Sequence, residues 1–247
     1  MSKNKLSKFA EIKTLPNVVE VSYAELQKGP HAFRGRWNKQ FFGNDHPLVL
    51  ELGCGKGEYT VGLAENYPQK NFIGVDIKGA RIWTGAVTAH DKGLKNAAFV
   101  RTYVELLPSF FDVGEVDEIW ITFPDPQMKK YRKRLTSTVL LSHYCRFLRP
   151  GGVVHLKTDS NFLFRYSSEL VHLNGFRIIA ETDDLYGSDF ADDILGIKTY
   201  YEEQWLNRGM TIKYLKFVPQ EGLLKEPDTE IEKDEYRSFG RDRRLEK

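Results

Sequence analysis

The chain alternates between short apolar runs and longer stretches in which apolar residues recur every three or four positions. The short runs fall at 49–52, 71–76, 97–101, 116–123, 153–157 and 211–218, and each reads as a strand. Between them, 59–67, 79–93, 136–148 and the segment opened by Thr158-Asp159-Ser160 carry helical periodicity, stopped by Pro68, Gly93, Pro150 and Gly175. A short helix or turn is expected at 106–111, and a last helix between Thr199 and Gly209. Strand follows helix repeatedly, which predicts an α/β fold: a doubly wound, mostly parallel sheet with helices on both faces. Residues 1–30, with mixed charge and two prolines, predict an extended or partly ordered N-terminal arm. Residues 31–218 form the predicted domain and 219–247 a charged tail, whose 236–244 stretch is rich in arginine.

Polar residues matter most where the apolar runs end. Val49-Leu50-Glu51-Leu52 breaks into Gly53-Cys54-Gly55-Lys56-Gly57 before helical periodicity resumes, a strand, tight turn and helix. Glycines at 53, 55 and 57 permit positive φ and a close approach by a ligand, towards which the helix's free N–H groups would face. The same spacing also serves close packing, and it is G-x-G-x-G rather than the dinucleotide pattern. The next strand ends at Asp76, whose carboxylate could accept bonds from ribose hydroxyls. The strand over 116–123 stops at Pro124-Asp125-Pro126, because proline cannot donate to a ladder. With Asp159 after the fifth strand, Glu51, Asp76, Asp125 and Asp159 all fall at or just beyond strand ends. In such a sheet these positions share one rim, where functional loops gather.

Composition narrows the setting. At 247 residues, 41% hydrophobic and 28% charged, the chain suits an ordinary globular protein, without an apolar run long enough to span a membrane. The polar N-terminus lacks a secretory core, and two cysteines, Cys54 and Cys145, offer neither a disulfide framework nor an obvious metal site. A cytoplasmic protein without a metal is expected. The formal net charge of +2 hides two basic runs. Lys28, Arg34, Arg36 and Lys39 interleave with Phe33, Trp37, Phe41 and Phe42; Lys129, Lys130, Arg132, Lys133 and Arg134 surround Tyr131. Basic side chains among aromatics suit phosphate contact and base stacking, although a solvated face has the same composition.

Taken together, Leu50-Glu51-Leu52-Gly53-Cys54-Gly55-Lys56-Gly57-Glu58, Gly74-Val75-Asp76-Ile77, Phe123-Pro124-Asp125-Pro126 with its basic follow-on, Lys157-Thr158-Asp159 and Thr199-Tyr200-Tyr201-Glu202 resemble the bacterial tRNA (guanine-N7)-methyltransferase family. The match spans roughly residues 30 to 217. The resemblance implies a seven-stranded sheet of the class I methyltransferase type, S-adenosylmethionine as cofactor, and tRNA as partner of a monomer or homodimer. It implies methyl transfer to N7 of a guanine in the variable loop. It places cofactor contacts at Glu51, Gly53, Gly55, Gly57, Asp76 and Tyr103, and a site aspartate at Asp125. Guanine or tRNA contacts are implied at Lys129, Asp159, Thr199, Tyr200, Tyr201 and Glu202, with tRNA backbone contacts at Lys130, Arg132, Lys133 and Arg134. Three positions depart from the family pattern. Gln127 stands where tryptophan is frequent and Tyr200 where glutamate is. Tyr103 stands near an adenine-side aspartate position, for which Arg101, Thr102 or Glu105 could substitute.

Overall fold

The computed structural model describes residues 3–235. Its centre is an eight-stranded sheet in the order β1-β4-β3-β2-β5-β6-β8-β7. The strands are β1 (Val18–Glu20), β2 (Leu48–Leu52), β3 (Asn71–Asp76), β4 (Ala97–Arg101), β5 (Val116–Thr122), β6 (Leu148–Thr158), β7 (Arg177–Thr182) and β8 (Lys213–Val218). Pairing is parallel from β1 to β6 and antiparallel from β6 through β8 to β7. The helices are α1 (Lys3–Glu11), α2 (Tyr23–Leu26), α3 (Glu58–Asn66), α4 (Gly79–Asp91), α5 (Thr138–Phe147), α6 (Asn161–Leu173) and α7 (Tyr200–Leu206).

Alternation within the strands makes two cores. Leu48, Leu50 and Leu52 of β2 join a cluster with Ile119, Ile121, Leu156 and Tyr144, while Val49 joins the opposite cluster with Tyr59, Ile82, Phe99 and Trp120. Because β2 is buried on both faces, it reads as one continuous apolar run rather than an alternating one. Glu51 is the polar exception in that strand and is buried too.

Three stretches depart from the sequence reading. The sheet has eight strands rather than seven, because Val18–Glu20 of the expected arm pairs in parallel with β4. The strand β7 was not legible, since only one of its residues is fully buried and its partner β8 lies thirty residues downstream in the chain. The short helix or turn expected at 106–111 is present as a 3-10 helix over 104–109, with Pro108 inside it. The aromatics of the first basic run are structural: Trp37 is fully buried and packs with Phe33, Phe41 and Phe111, while Arg34 pairs with Asp112 at 2.9 Å. A base-stacking role does not fit rings already packed in the core.

Residues 219–235 of the expected tail are also docked. Leu224 and Ile231 pack against the core, Tyr166 donates to Glu226 at 2.7 Å, and Asp234 is buried against the first turn of α6. The arginine-rich 236–244 stretch lies outside the described residues.

Candidate active site

The sheet order reverses beside β2, whose neighbours are β3 and β5, so the crevice beyond these strand ends is where an open α/β sheet receives ligands. The turn after β2 runs through Gly53, Gly55 and Gly57 at φ +74°, +57° and +71°, values that side chains rarely tolerate. The glycines divide two tasks. A Cβ on Gly57 would sit 2.6 Å from the Phe99 ring and 3.1 Å from the Gly85 Cα, so this glycine lets α3 and α4 close on β4. A Cβ on Gly55 would meet nothing nearer than the Gly53 carbonyl at 4.0 Å, so here the turn faces open space.

Two carboxylates hold the turn. Gly53 and Cys54 donate to the Val75 carbonyl at 2.8 and 3.0 Å, and Gly55 donates to Asp76 Oδ2 at 3.0 Å. Asp76 Oδ1 accepts from the Lys78 amide at 2.8 Å; a carboxylate so engaged on one lone pair per oxygen still has lone pairs for hydroxyl donors. Glu51 accepts from the Thr60 amide at 2.8 Å, from the Thr60 hydroxyl, and from Thr122 Oγ1 at 2.5 Å. Burial pushes its pKa up to about 7 against those hydrogen bonds. Glu51, Gly53, Cys54, Gly55, Thr122 and Thr199 line part of an open cleft, with Arg81 and Glu58 also on its wall.

Across the cleft, β5 runs into Phe123-Pro124-Asp125-Pro126-Gln127. Phe123 and Gln127 both have φ +47°, and no other non-glycine described residues have positive φ. Strained backbone of this kind persists only where its surroundings fix it, and functional loops are where it concentrates. Phe123 is fixed by its amide, which donates to the Lys157 carbonyl at 2.8 Å. Asp125 stands exposed between the two strained residues, with Oδ1 accepting from the Gln127 amide at 3.0 Å. Lys129, Lys130, Tyr131, Arg132 and Lys133 follow, all exposed, and Lys133 reaches Glu105 at 2.7 Å.

Arg134, expected at the tRNA backbone, does not share this surface. It is buried, its guanidinium lies 4.2 Å from the Tyr166 ring centre and 4.7 Å from that of Phe162, and it donates to the Met128 carbonyl at 3.2 Å. It anchors the basic loop from beneath. Tyr103 is 58% exposed at the start of the 3-10 helix, one residue beyond Thr102, whose amide donates to the Asp76 carbonyl at 3.2 Å.

The remaining expected residues lie beyond β6 and on α7. Asp159 is fully buried, and Lys213 donates to its backbone carbonyl at 3.3 Å. Thr199 caps α7 by accepting from the Glu202 amide at 3.2 Å, and it reaches the cleft wall. Tyr200 is half exposed; its amide donates to Glu58 Oε2 at 3.3 Å, and Lys56 Nζ sits 4.7 Å from its ring centre. The Tyr201 side chain lies outside the described residues. Glu202 faces inward, pairing with Lys157 Nζ at 2.8 Å, and both side chains are 0% exposed.

The topology therefore gathers Glu51, Asp76, Asp125 and Asp159 at or just beyond the carboxyl ends of four adjacent strands, β2, β3, β5 and β6. Sequence reading missed Thr60 and Thr122, which hold Glu51, and the walls supplied by Lys56, Glu58 and Arg81. Lys157 was also missed, although a lysine closing an apolar strand signals a buried charge that needs a partner.

A family model described as a putative methyltransferase matches residues 45–215. A relative from Bacteroides thetaiotaomicron, named tRNA (guanine-N(7)-)-methyltransferase, is 57% identical over 99% of this chain and 97% of its own. Relatives of the same name come from Porphyromonas gingivalis, 57% identical over 94% and 98%, and Levilactobacillus brevis, 35% identical over 77% and 88%. Among solved structures, the 16S rRNA methyltransferase KamB superposes with a TM-score of 0.57 at 15% identity, covering 82% of this chain and 96% of that one. An antibiotic-related methyltransferase gives 0.55 at 21% identity, over 83% and 98%. Among the described residues no helix is long and apolar enough to cross a membrane.

Proposed function

We infer the roles of these residues from the family to which the chain belongs, the tRNA (guanine-N(7)-)-methyltransferases. The protein transfers a methyl group from S-adenosylmethionine to N7 of a guanine in tRNA. The observation that carries this reading is 57% identity over nearly the whole chain, joined to a cleft lined by the glycine turn, Glu51 and Phe123, whose strand runs on into an exposed cationic loop.

The cleft suits the methyl donor. Gly55 leaves open the space that a Cβ would take, and Asp76 retains lone pairs for ribose hydroxyls. Glu51 is a buried carboxyl group with hydroxyl and amide donors and, among the described residues, no ion-pair partner, so the ammonium end of the donor would complete it. When bound, S-adenosylmethionine supplies an activated methyl group. Gly53, Gly55, Glu51 and Asp76 would hold it, and Tyr103 would border its adenine side.

Guanine N7 carries an in-plane lone pair and no proton, so attack requires alignment rather than a general base. Asp125 faces outward on a backbone that Phe123 and Gln127 make rigid. Its carboxylate would accept from the guanine N–H groups and stabilise the positive charge that passes to the purine ring. Thr199 and Tyr200 would border the base. Lys129, Lys130, Arg132 and Lys133 would contact backbone phosphates, which places a folded RNA over the same rim. The variable-loop guanine is the proposed target, the cytoplasm the proposed location, and a monomer or homodimer the proposed state. The test is to incubate protein, labelled S-adenosylmethionine and unmodified tRNA, then identify the methylated nucleoside. 7-Methylguanosine at a variable-loop position is expected. Methylation of another base or another loop would overturn the assignment.

A further inference from the structure

Behind the cleft wall lies a buried cation that no step above uses. Lys157, next to last in β6, donates to the Leu195 carbonyl at 2.6 Å and to the Ile197 carbonyl at 3.2 Å, and meets both carboxylate oxygens of Glu202, at 2.8 and 2.9 Å. Three rings surround the ammonium, with centres at 5.5 Å (Tyr59) and 5.8 Å (Phe123 and Tyr186). Two of these rings bond the same connection or the same carboxylate. Tyr59 donates to the Ile194 carbonyl at 2.8 Å, and Tyr186 donates to Glu202 Oε1 at 2.5 Å.

Every neutral acceptor of Lys157 is thus a carbonyl in the connection that leads into Thr199, and its charged partner lies on the helix that Thr199 caps. The ion pair is fully enclosed. Such a pair brings little net stability over an apolar substitute, because desolvation offsets the Coulomb gain, so a plain packing role would be served as well by methionine or leucine. What the lysine adds is direction: three N–H groups fix where 195–202 stands relative to β6 and to Phe123, which shares both the ring cage and the strained backbone before Asp125.

We propose that Lys157 is a positioning residue for methyl transfer, the post to which the Thr199 wall and α7 are tied opposite the Phe123–Asp125 loop, with Glu202 acting through Lys157 rather than by touching the base. The proposal rests on the tRNA (guanine-N7) methyl-transfer reading. Lys157 and Glu202 then form one device, and removing either loses the same thing. Thr199 and Phe123 both line the cleft, and the post sets their separation, so its loss lowers turnover of bound tRNA while the exposed basic loop still captures RNA.

A double-mutant cycle tests this with Lys157→Met, Glu202→Gln and the charge-balanced pair of both. Melting and S-adenosylhomocysteine affinity report folding; tRNA Kd, KM and kcat report function. Expected is a drop in kcat of about a hundredfold, the scale of an ångström-level misplacement, nearly equal in both single variants and the double, with tRNA Kd unchanged. Losses that multiply in the double variant would mean that Glu202 contacts substrate independently, and wild-type kcat in a folded double variant would mean that the post is inert; either overturns the proposal. Should the single variants fail to fold, Tyr186→Phe keeps the ion pair and removes the hydroxyl's contacts to Glu202 and to the Leu195 carbonyl. It is expected to lower kcat severalfold at unchanged tRNA Kd, and an unaltered kcat would again overturn the proposal. The underlying reading fails separately, if the unaltered protein forms no 7-methylguanosine.

Discussion

Asp125 and Glu51 are carboxylates on one rim, yet their surroundings give them opposite properties. Asp125 is exposed and held by the Gln127 amide, whereas Glu51 is enclosed and its pKa rises to about 7. Replacing Asp125 by alanine removes the group proposed to stabilise charge on the purine, so kcat should fall by about 10² to 10³, as for a lost transition-state contact. S-adenosylhomocysteine affinity, read by calorimetry, should hold. For Glu51 the folded pKa lies above the ordinary 4.5, so the folded protein keeps a proton that the unfolded chain releases first. Its favourable effect on stability is present below 4.5 and is lost as pH rises through 7. Glu51→Gln should therefore melt near the wild-type temperature at pH 5 and above it at pH 8, with an upper bound on the order of 3 kcal/mol. The same substitution should weaken S-adenosylhomocysteine binding, most strongly at the higher pH. A melting difference that does not grow with pH would remove Glu51 from the set of perturbed groups.

At the scale of elements, the 129–134 loop shows how far charge patterning can be trusted. Five basic residues look alike in sequence, but Arg134 turns inward onto Tyr166 and Phe162 while the others stay outside. Neutralising Lys129, Lys130 and Arg132 should weaken tRNA binding and flatten the logarithmic salt dependence by about 0.7 to 0.9 per lost contact. Arg134→Met should leave that slope nearly unchanged and instead cost about 2 kcal/mol of stability through the lost stacking and hydrogen bond. Titrations at several salt concentrations, alongside melts, separate the two classes. The first basic run carries the same lesson. Its aromatic spacing was legible, but whether Trp37 and Phe41 stack on bases or on each other depends on Phe110 and Phe111, about seventy residues away. Strand ends were legible because glycine and proline punctuate them locally. The residues that hold Glu51 were not, since Thr122 lies seventy-one positions distant and reaches it only through the β2–β5 pairing.

For the whole molecule, the alternation of strand and helix and the acidic rim follow from a pattern present in the sequence, while both ends of the chain were misread because their composition is polar. Neither end is loose over its described residues. The strand β1 covers the edge of β4, with Arg101 pairing with Glu20 at 2.7 Å. At the other end, 219–235 crosses α5 and α6 and finishes at Asp234. A low apolar content hides such a strap, because it is held by single well-placed bonds rather than by a hydrophobic face. Asp234 is the bond nearest the site: it accepts from Ser160 Oγ and from the Phe162 amide at 3.0 Å, at the start of the helix that directly follows Asp159. Glu226, earlier on the strap, bonds Tyr166 and Thr138 far along the chain from that turn. The two positions separate fastening from function. Asp234→Ala and Glu226→Ala should each cost about 1 to 2 kcal/mol, lowering Tm by a few degrees for a chain of this length. Only Asp234→Ala frees the turn that carries Asp159, so only it should raise KM for tRNA, with S-adenosylhomocysteine affinity held. Equal KM values in two equally destabilised variants would show that the strap only fastens the fold and has no part in presenting the rim to RNA.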